Sequence, residues 1–330
     1  MTYFKTLLRI LCLFAAISIL PVAFNIPALA MDCDRTARIG YDLHTSKHSS
    51  SLDRSTLEQA RKYYEQTLSN CPGYCRKHPE LCNNLGDVYK RLGMKDRALS
   101  YFRMAAREKP GYGDALFEIG MILEEKGLLG AALDLYLKAL DANPRDREAE
   151  SRARGLTDRL CSMDGYGRTA RPGETLNKDA LFDSVVALEA FDRARKRFNV
   201  CRKNIFVVCT ALQNILFASG SAALDPRSNQ QLAELTAMMT ENRKIRLVIE
   251  DHTDDRPIRG VIEVSPGLYC RDNNCLSRER ARSVLRELKA RGIASGRITA
   301  EGYGHSRPMD SLDRSKNRRV QLRMGDLEEK

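Results

Sequence analysis

Residues 245–254 read IRLVIEDHTD, residues 273–291 read NNCLSRERARSVLRELKAR, and residues 317–320 read NRRV. In the first stretch Ile245, Leu247 and Ile249 alternate with polar or partner-facing positions, the two-residue period of a strand, and the run closes in His252-Thr253-Asp254. In the second, residues 276–291 carry helical periodicity, with Arg280 in the first turns. An acid at a strand end and an arginine near a helix start place one fixed anion and one fixed cation at the ends of neighbouring elements. That pair suits a ligand bearing both an ammonium and a carboxylate. An arginine fork binds carboxylate bidentately, and aspartate accepts from an amine.

Further short clusters fall in order around these three. Ile215-Leu216-Phe217 is followed by Ala223-Leu224, and Asn273 stands three residues before Leu276-Ser277. Gly292-Ile293 ends the helix, and Gly302-Tyr303-Gly304 precedes Pro308. On these residues the segment 205–324 resembles the OmpA-like peptidoglycan-binding domain, shared by outer-membrane proteins, Pal lipoproteins and flagellar stator proteins. The resemblance implies an α+β fold with a βα-βαβ-β order, no cofactor and no metal. It also implies a ligand, the diaminopimelate side chain of the peptidoglycan stem peptide. Carried over by residue, Asp254 would accept the ammonium and Arg280 would take the carboxylate. Asn273 and Arg318 would support the loops around them. Strands are expected near residues 205–217, 245–252, 298–303 and 319–323, and helices near 228–241 and 276–291.

Several positions depart from that pattern. Asp251 stands where the family usually has glycine, and the loop between Asp254 and Leu276 is roughly twice the usual length for such loops, with Cys270 and Cys275 inside it. His305 replaces the usual glutamate, and Ala218-Ser219-Gly220 lacks the polar first-turn residue of close relatives. These changes bear on affinity and ligand preference. They leave open an alternative, an envelope scaffold whose OmpA-like domain no longer binds peptidoglycan. Cys270 and Cys275, with four residues between them in an exported protein, are expected to form a disulfide beside the cleft.

Upstream, residues 53–150 repeat at about 34 residues, the period of tetratricopeptide repeats. Leu85, Gly86, Tyr89, Ala98, Phe102, Ala105 and Pro110 recur as Ile119, Gly120, Leu123, Ala132, Tyr136, Ala139 and Pro144. Small residues in this pattern let paired helices approach, and each proline punctuates the exit of a second helix. Ala60, Tyr64 and Pro72 mark an upstream half-unit whose first helix, within residues 35–51, is polar and degenerate. Residues 147–160 read as a cap helix. The repeats imply protein binding, to an envelope protein not identified by the sequence. Asn83, Asn84, Asp87 and Lys90 are candidates for lining a groove, and an ordinary solvated face explains them as well. Cys71, Cys75 and Cys82 with His78 have a spacing open to zinc. A disulfide, Cys71–Cys75 or Cys75–Cys82, fits an oxidising compartment better.

The compartment is argued from the start of the chain. Lys5 and Arg9 precede an apolar run, residues 10–24, and Ala28-Leu29-Ala30 offers a small-residue cleavage site, so residues 1–30 read as a signal peptide. The competing reading is an uncleaved anchor, against which Pro21, Asn25 and Pro27 count. Neither Cys12 nor Cys33 has the flanking residues of a lipoprotein signal. Export together with the OmpA-like resemblance implies a mature chain in the periplasm of a Gram-negative bacterium, at the cell wall and in reach of the outer membrane. Ten cysteines then point to disulfides. A net charge of +11 suits anionic envelope polymers as partners, and export argues against nucleic acid.

The resulting division has a signal peptide at 1–30, a polar segment at 31–52 and repeats with their cap helix at 53–160. A linker and helix follow at 161–204, then the OmpA-like domain at 205–326. Within 161–204, residues 163–177 are rich in Gly, Arg and Pro and read as a linker loop. Residues 180–198 read as a helix packing on the domain that follows, tied by Cys201 to Cys161 or Cys209. The five histidines are scattered, and no Gly-x-Ser-x-Gly, His-Glu-x-x-His or Walker loop is present, so no enzyme is expected.

Overall fold

A computed structural model of the chain describes residues 32–45, 53–163, 165–201 and 208–325. The expected signal peptide, residues 1–30, lies outside the described residues. The chain divides into two compact units, one ending at Pro72 and one beginning at Gly73. No helix among the described residues is long and apolar enough to cross a membrane.

The first unit is a helical hairpin, α1 (Cys33–Thr45) and α2 (Arg54–Asn70). Asp53 caps α2 by accepting from the Thr56 amide, satisfying one of the donors every helix start leaves open. Ala60 and Tyr64 are fully buried, and a Cβ on Gly40 would stand 3.0 Å from the Tyr64 ring. The first helix expected within residues 35–51 is α1, which starts two residues earlier, at Cys33, and the Cys33–Cys71 disulfide closes the hairpin.

The second unit opens with a short turn of helix, α3 (Tyr74–Lys77). Two repeats follow, α4 (Pro79–Arg91) with α5 (Lys95–Glu108) and α6 (Gly113–Glu125) with α7 (Leu129–Ala142). Each repeat sets a first-helix glycine against a second-helix ring. A Cβ on Gly86 would lie 2.7 Å from Phe102, and one on Gly120 the same distance from Tyr136. The small positions of the repeat are thus demanded by ring packing, not by turns. Cys75 bonds Cys82; with Cys71 held by Cys33, the sulfurs a zinc site would need are consumed. The cap helix α8 (Arg147–Cys161) starts on Asp146, which accepts from the Glu148 and Ala149 amides.

The stretch expected as a linker contains a strand, β1 (Tyr166–Ala170), pairing in parallel with β2 (Val208–Leu212). Only Ala170 of β1 is buried, so an edge strand of this composition leaves no apolar alternation to read. The helix after it, α9 (Lys178–Phe198), packs on α7 of the repeats as well as on the sheet that follows. A Cβ on Gly130 of α7 would lie 2.7 Å from the carbonyl oxygen of Asp183 in α9. Buried Asp183 accepts from the Ala131 amide, the Tyr166 hydroxyl and Arg168. Burial raises its pKa, and those three donors oppose the rise. Cys161 bonds Cys201 and ties the two ends of this joint.

The remaining strands are β3 (Leu247–His252), β4 (Ile262–Ser265), β5 (Leu268–Cys270), β6 (Ile298–Gly304) and β7 (Arg319–Met324). The helices among them are α10 (Asn229–Glu241), α11 (Asn273–Ala290) and α12 (Arg314–Asn317). The main sheet runs β1-β2-β7-β3-β6, with β3 and β6 parallel and β7 antiparallel to both β2 and β3. Leu212, Val320, Asp251 and Gly302 share one row, and the helices cover this face. The other face carries Glu250, His252, Glu301, Tyr303 and Arg323, paired with one another rather than with a helix. The fold is therefore helical repeats followed by an α+β domain. The expected opening strand is shorter than read. It ends at Leu212, residues 202–207 lie outside the described residues, and Phe217 makes only an isolated bridge to Leu224.

Candidate functional site

A cleft of about 710 Å³ opens at the C-terminal end of β3, and Asp254, Arg280, Asn273 and Arg318 all line it. Two close approaches set its geometry. Helix α11 lies flat on β6, since a Cβ on Gly302 would stand 2.5 Å from the Cα of Arg278. The loop leaving β3 is pinned at both ends of its first turn. The Thr253 amide donates to the Gly304 carbonyl, and Asn273 donates its side-chain amide to the carbonyls of Asp254 (3.2 Å) and Arg256 (2.8 Å). Buried Asn273 thus acts on the loop backbone.

Arg280 is half-buried. Its Nε donates to the Ser221 carbonyl at 2.9 Å and its guanidinium lies over the Phe217 ring, 5.0 Å from the centroid. The terminal nitrogens make no hydrogen bond among the described residues. Burial lowers the Arg280 pKa, while the charges of Asp251 and Asp254 act to restore it. The Ala218–Ala223 turn is closed by the Ala218 amide donating to Ala223, and the Ala222 amide donates to Val264 of β4. The turn that anchors Arg280 is therefore tied to the inserted hairpin.

Asp254 is already engaged. Its Oδ2 accepts from Arg318 Nη1 at 2.7 Å and its Oδ1 from the Arg256 amide at 3.2 Å. The Arg318 side chain is 50% exposed, so this ion pair contributes roughly 0–1 kcal/mol and can exchange. Asp251, also in the cleft, is 2% exposed and its Oδ2 has no hydrogen-bond partner among the described residues. Burial pushes its carboxyl well above the ordinary range, and the guanidiniums of Arg280 and Arg319 oppose that rise.

Residues beyond the four expected ones complete the walls. Strands β4 and β5 form a hairpin in the lengthened loop, and Cys270–Cys275 joins it to the first turn of α11. Ala222, Val264, Cys270 and Leu276 make a small core beneath it. Ser265-Pro266-Gly267 between short apolar runs was the turn signal for this hairpin. Asn317, buried, accepts from the Met309 and Asp310 amides and donates to the Asp310 carbonyl, fixing the loop before α12. Arg314 grips Asp255 through two nitrogens at 2.6 and 3.0 Å. His252 stacks on Tyr303 and lies 3.8 Å from Glu250, an electrostatic contact rather than a hydrogen bond. Among the described residues no group of His, Cys, Asp or Glu side chains is arranged to hold a metal ion.

Residues 216–321 match the OmpA family and residues 83–147 match a tetratricopeptide repeat family. These are structural and interaction families, the first of peptidoglycan-binding domains and the second of protein-binding repeats. Over 112 residues the chain is 30% identical to outer membrane porin F of Pseudomonas fluorescens, covering 33% of this chain and 31% of that protein. Over 109 residues it is 29% identical to the chloroplastic tetratricopeptide repeat domain-containing protein PYG7 of Arabidopsis thaliana, covering 33% and 36%. The chain thus spans about a third of the length of each of these curated relatives. Among solved structures, it is similar to a putative MotB like protein from Desulfovibrio vulgaris, at 31% identity and a TM-score of 0.29, over 33% of this chain and 68% of that one. The chain carries tetratricopeptide repeats at 83–147 and an OmpA-family domain at 216–321.

Proposed function

We propose that the chain is an exported envelope protein that holds peptidoglycan non-covalently through its C-terminal domain. The repeats offer a face to a second envelope protein, and neither part does catalysis. The observation that carries this reading is the state of Arg280. Its Nε is fixed on Ser221 and its plane rests on Phe217, while its terminal nitrogens face a cleft that also holds Asp254. A guanidinium held this way is organised in advance for a carboxylate. Asp254 supplies the acceptor for an ammonium once Arg318 swings aside, and the diaminopimelate side chain carries both groups. Asn273 holds the loop that presents Asp254.

One observation favours a second reading, that of a scaffold without ligand. Asp254 already has a partner in Arg318. Sedimentation with purified sacculi separates the two. The binder is expected to pellet with diaminopimelate-type sacculi, and Asp254→Ala and Arg280→Ala are expected to stay in solution while keeping their circular dichroism. Parent and variants that pellet equally would place the site elsewhere, and a parent that never pellets would favour the scaffold. Export to the periplasm is checked separately, by fractionating cells and locating the chain.

A further inference from the structure

Asp251 is a carboxylate at the floor of a cleft, 2% exposed, with an oxygen that nothing in the described structure satisfies. Buried polar groups of this kind are rare, because an unmet acceptor forfeits its hydration without return. The charges that act on it come from two elements, Arg280 on α11 and Arg319 on β7. Arg319 is spent on its surroundings, donating to the carbonyls of Asn317 and Arg307 and to Gln321. Arg280 is the cation whose terminal nitrogens stand open. The cleft is therefore lined by a cation with open nitrogens and by a carboxyl oxygen with no donor, each within electrostatic reach of the other.

We infer that Asp251 determines specificity in this cleft, accepting the ammonium of a ligand end that carries an amine and a carboxylate on one carbon. The inference rests on the peptidoglycan-binding reading and refines it, giving the ammonium to Asp251 in place of Asp254. Such an end lays its carboxylate on Arg280 and its ammonium on Asp251, so both open groups are met at once. Asp254, with Oδ2 on Arg318 and Oδ1 on the Arg256 amide, needs no displacement for that fit. A ligand with a carboxylate alone does worse. It takes the positive charge that steadies Asp251 and brings no donor to Oδ2, while sealing that oxygen further from water. The cleft thus selects against plain acids by leaving Asp251 unmet.

The test is calorimetric titration of the full chain with meso-diaminopimelate and with pimelate, which has the same carbon chain and both carboxylates but no amines. The parent is expected to prefer diaminopimelate by at least tenfold. Asp251→Asn, nearly the same size and uncharged, is expected to shrink that preference several-fold, through weaker diaminopimelate and stronger pimelate binding. Asp251→Ser, smaller and also neutral, is read the same way and covers a failure of the first variant to fold. An unchanged preference in a folded variant overturns the role of Asp251 and leaves the binding reading intact. A parent that binds neither compound overturns both.

Discussion

Gly302 of β6 lies directly beneath the start of α11, so close that a Cβ on it would stand 2.5 Å from the Cα of Arg278 and closer still to its backbone nitrogen. Two backbones meet there, and neither can yield as a side chain would. The same helix carries Arg280 two residues on. The register of α11 on the sheet is therefore what sets the position of the cleft's central cation.

Gly302→Ala is accordingly expected to destabilise the chain by about 1–3 kcal/mol, the usual cost of forcing extra volume into a packed site. It should also weaken sacculus binding although residue 302 does not line the cleft. Urea denaturation gives the first quantity and cosedimentation the second. A variant of parental stability would mean that α11 slides without penalty.

The main elements of the domain were legible because each leaves a local trace. Ile245, Leu247 and Ile249 alternate, residues 276–291 keep helical period, and the four expected site residues flank those elements in sequence. The rest depends on contacts between distant segments. Strand β1 is an edge strand with Gly167 and Arg168 in its middle, and it exists only through pairing with β2. The β4–β5 hairpin is too short for periodicity to register. Cys71 finds its partner at Cys33, across both helices of the hairpin, where spacing alone favoured nearer cysteines. The open oxygen of Asp251 is likewise a fact of packing. As a sequence it read only as an acid in place of glycine.

The Cys270–Cys275 bond should govern the cleft wall rather than the whole fold. It joins the inserted hairpin to the first turn of α11, over a small core of Ala222, Val264 and Leu276. Closing so short a loop contributes roughly 2 kcal/mol by loop-entropy reasoning. Replacing both cysteines by serine is expected to speed amide exchange in residues 258–272 while leaving the repeats protected. Unchanged exchange in the hairpin would count against the staple.

Acidification should cost stability through His252. Burial, first, and the neighbouring Arg319 and Arg307 lower its pKa, and Glu250 opposes them. The unfolded chain takes up the proton near the ordinary histidine value of about 6.5, and the folded chain resists it. Proton uptake therefore favours unfolding, and stability is expected to fall as pH drops below about 6.5. Thermal melts between about pH 7 and pH 5 should show the decline, and His252→Gln should flatten it. Asp251 and Asp183, whose carboxyl pKa values burial raises, act in the opposite sense. The difference between parent and variant is therefore what decides, and a His252→Gln curve parallel to the parent's would contradict the assignment.

Asn273→Asp tests the loop clamp at almost constant volume. Asn273 donates to two carbonyls, those of Asp254 and Arg256, from a buried position. Aspartate there offers only acceptors to acceptors, which should destabilise the loop by about 1–3 kcal/mol. Ligand affinity should drop with it, because Asp254 is held by the segment it clamps. Asn273→Gln, which keeps the donor on a longer arm, should recover part of the loss.

Arg280→Lys is the sharpest check on how the cation works. Arginine uses three separate features here: Nε holds the Ser221 carbonyl, the guanidinium plane rests on Phe217, and the terminal nitrogens face the cleft. Lysine keeps the charge and loses the fork, the plane and the second point of attachment. If charge alone bound the ligand, lysine would retain most of the affinity. If the oriented fork binds it, lysine should be nearly as poor as alanine. Both should then lose about 1–3 kcal/mol, roughly 5- to 150-fold in affinity. Calorimetry with meso-diaminopimelate measures all three proteins on one scale. A lysine variant close to the parent would reduce Arg280 to a point charge, and the contacts at Ser221 and Phe217 would then be packing without consequence for binding.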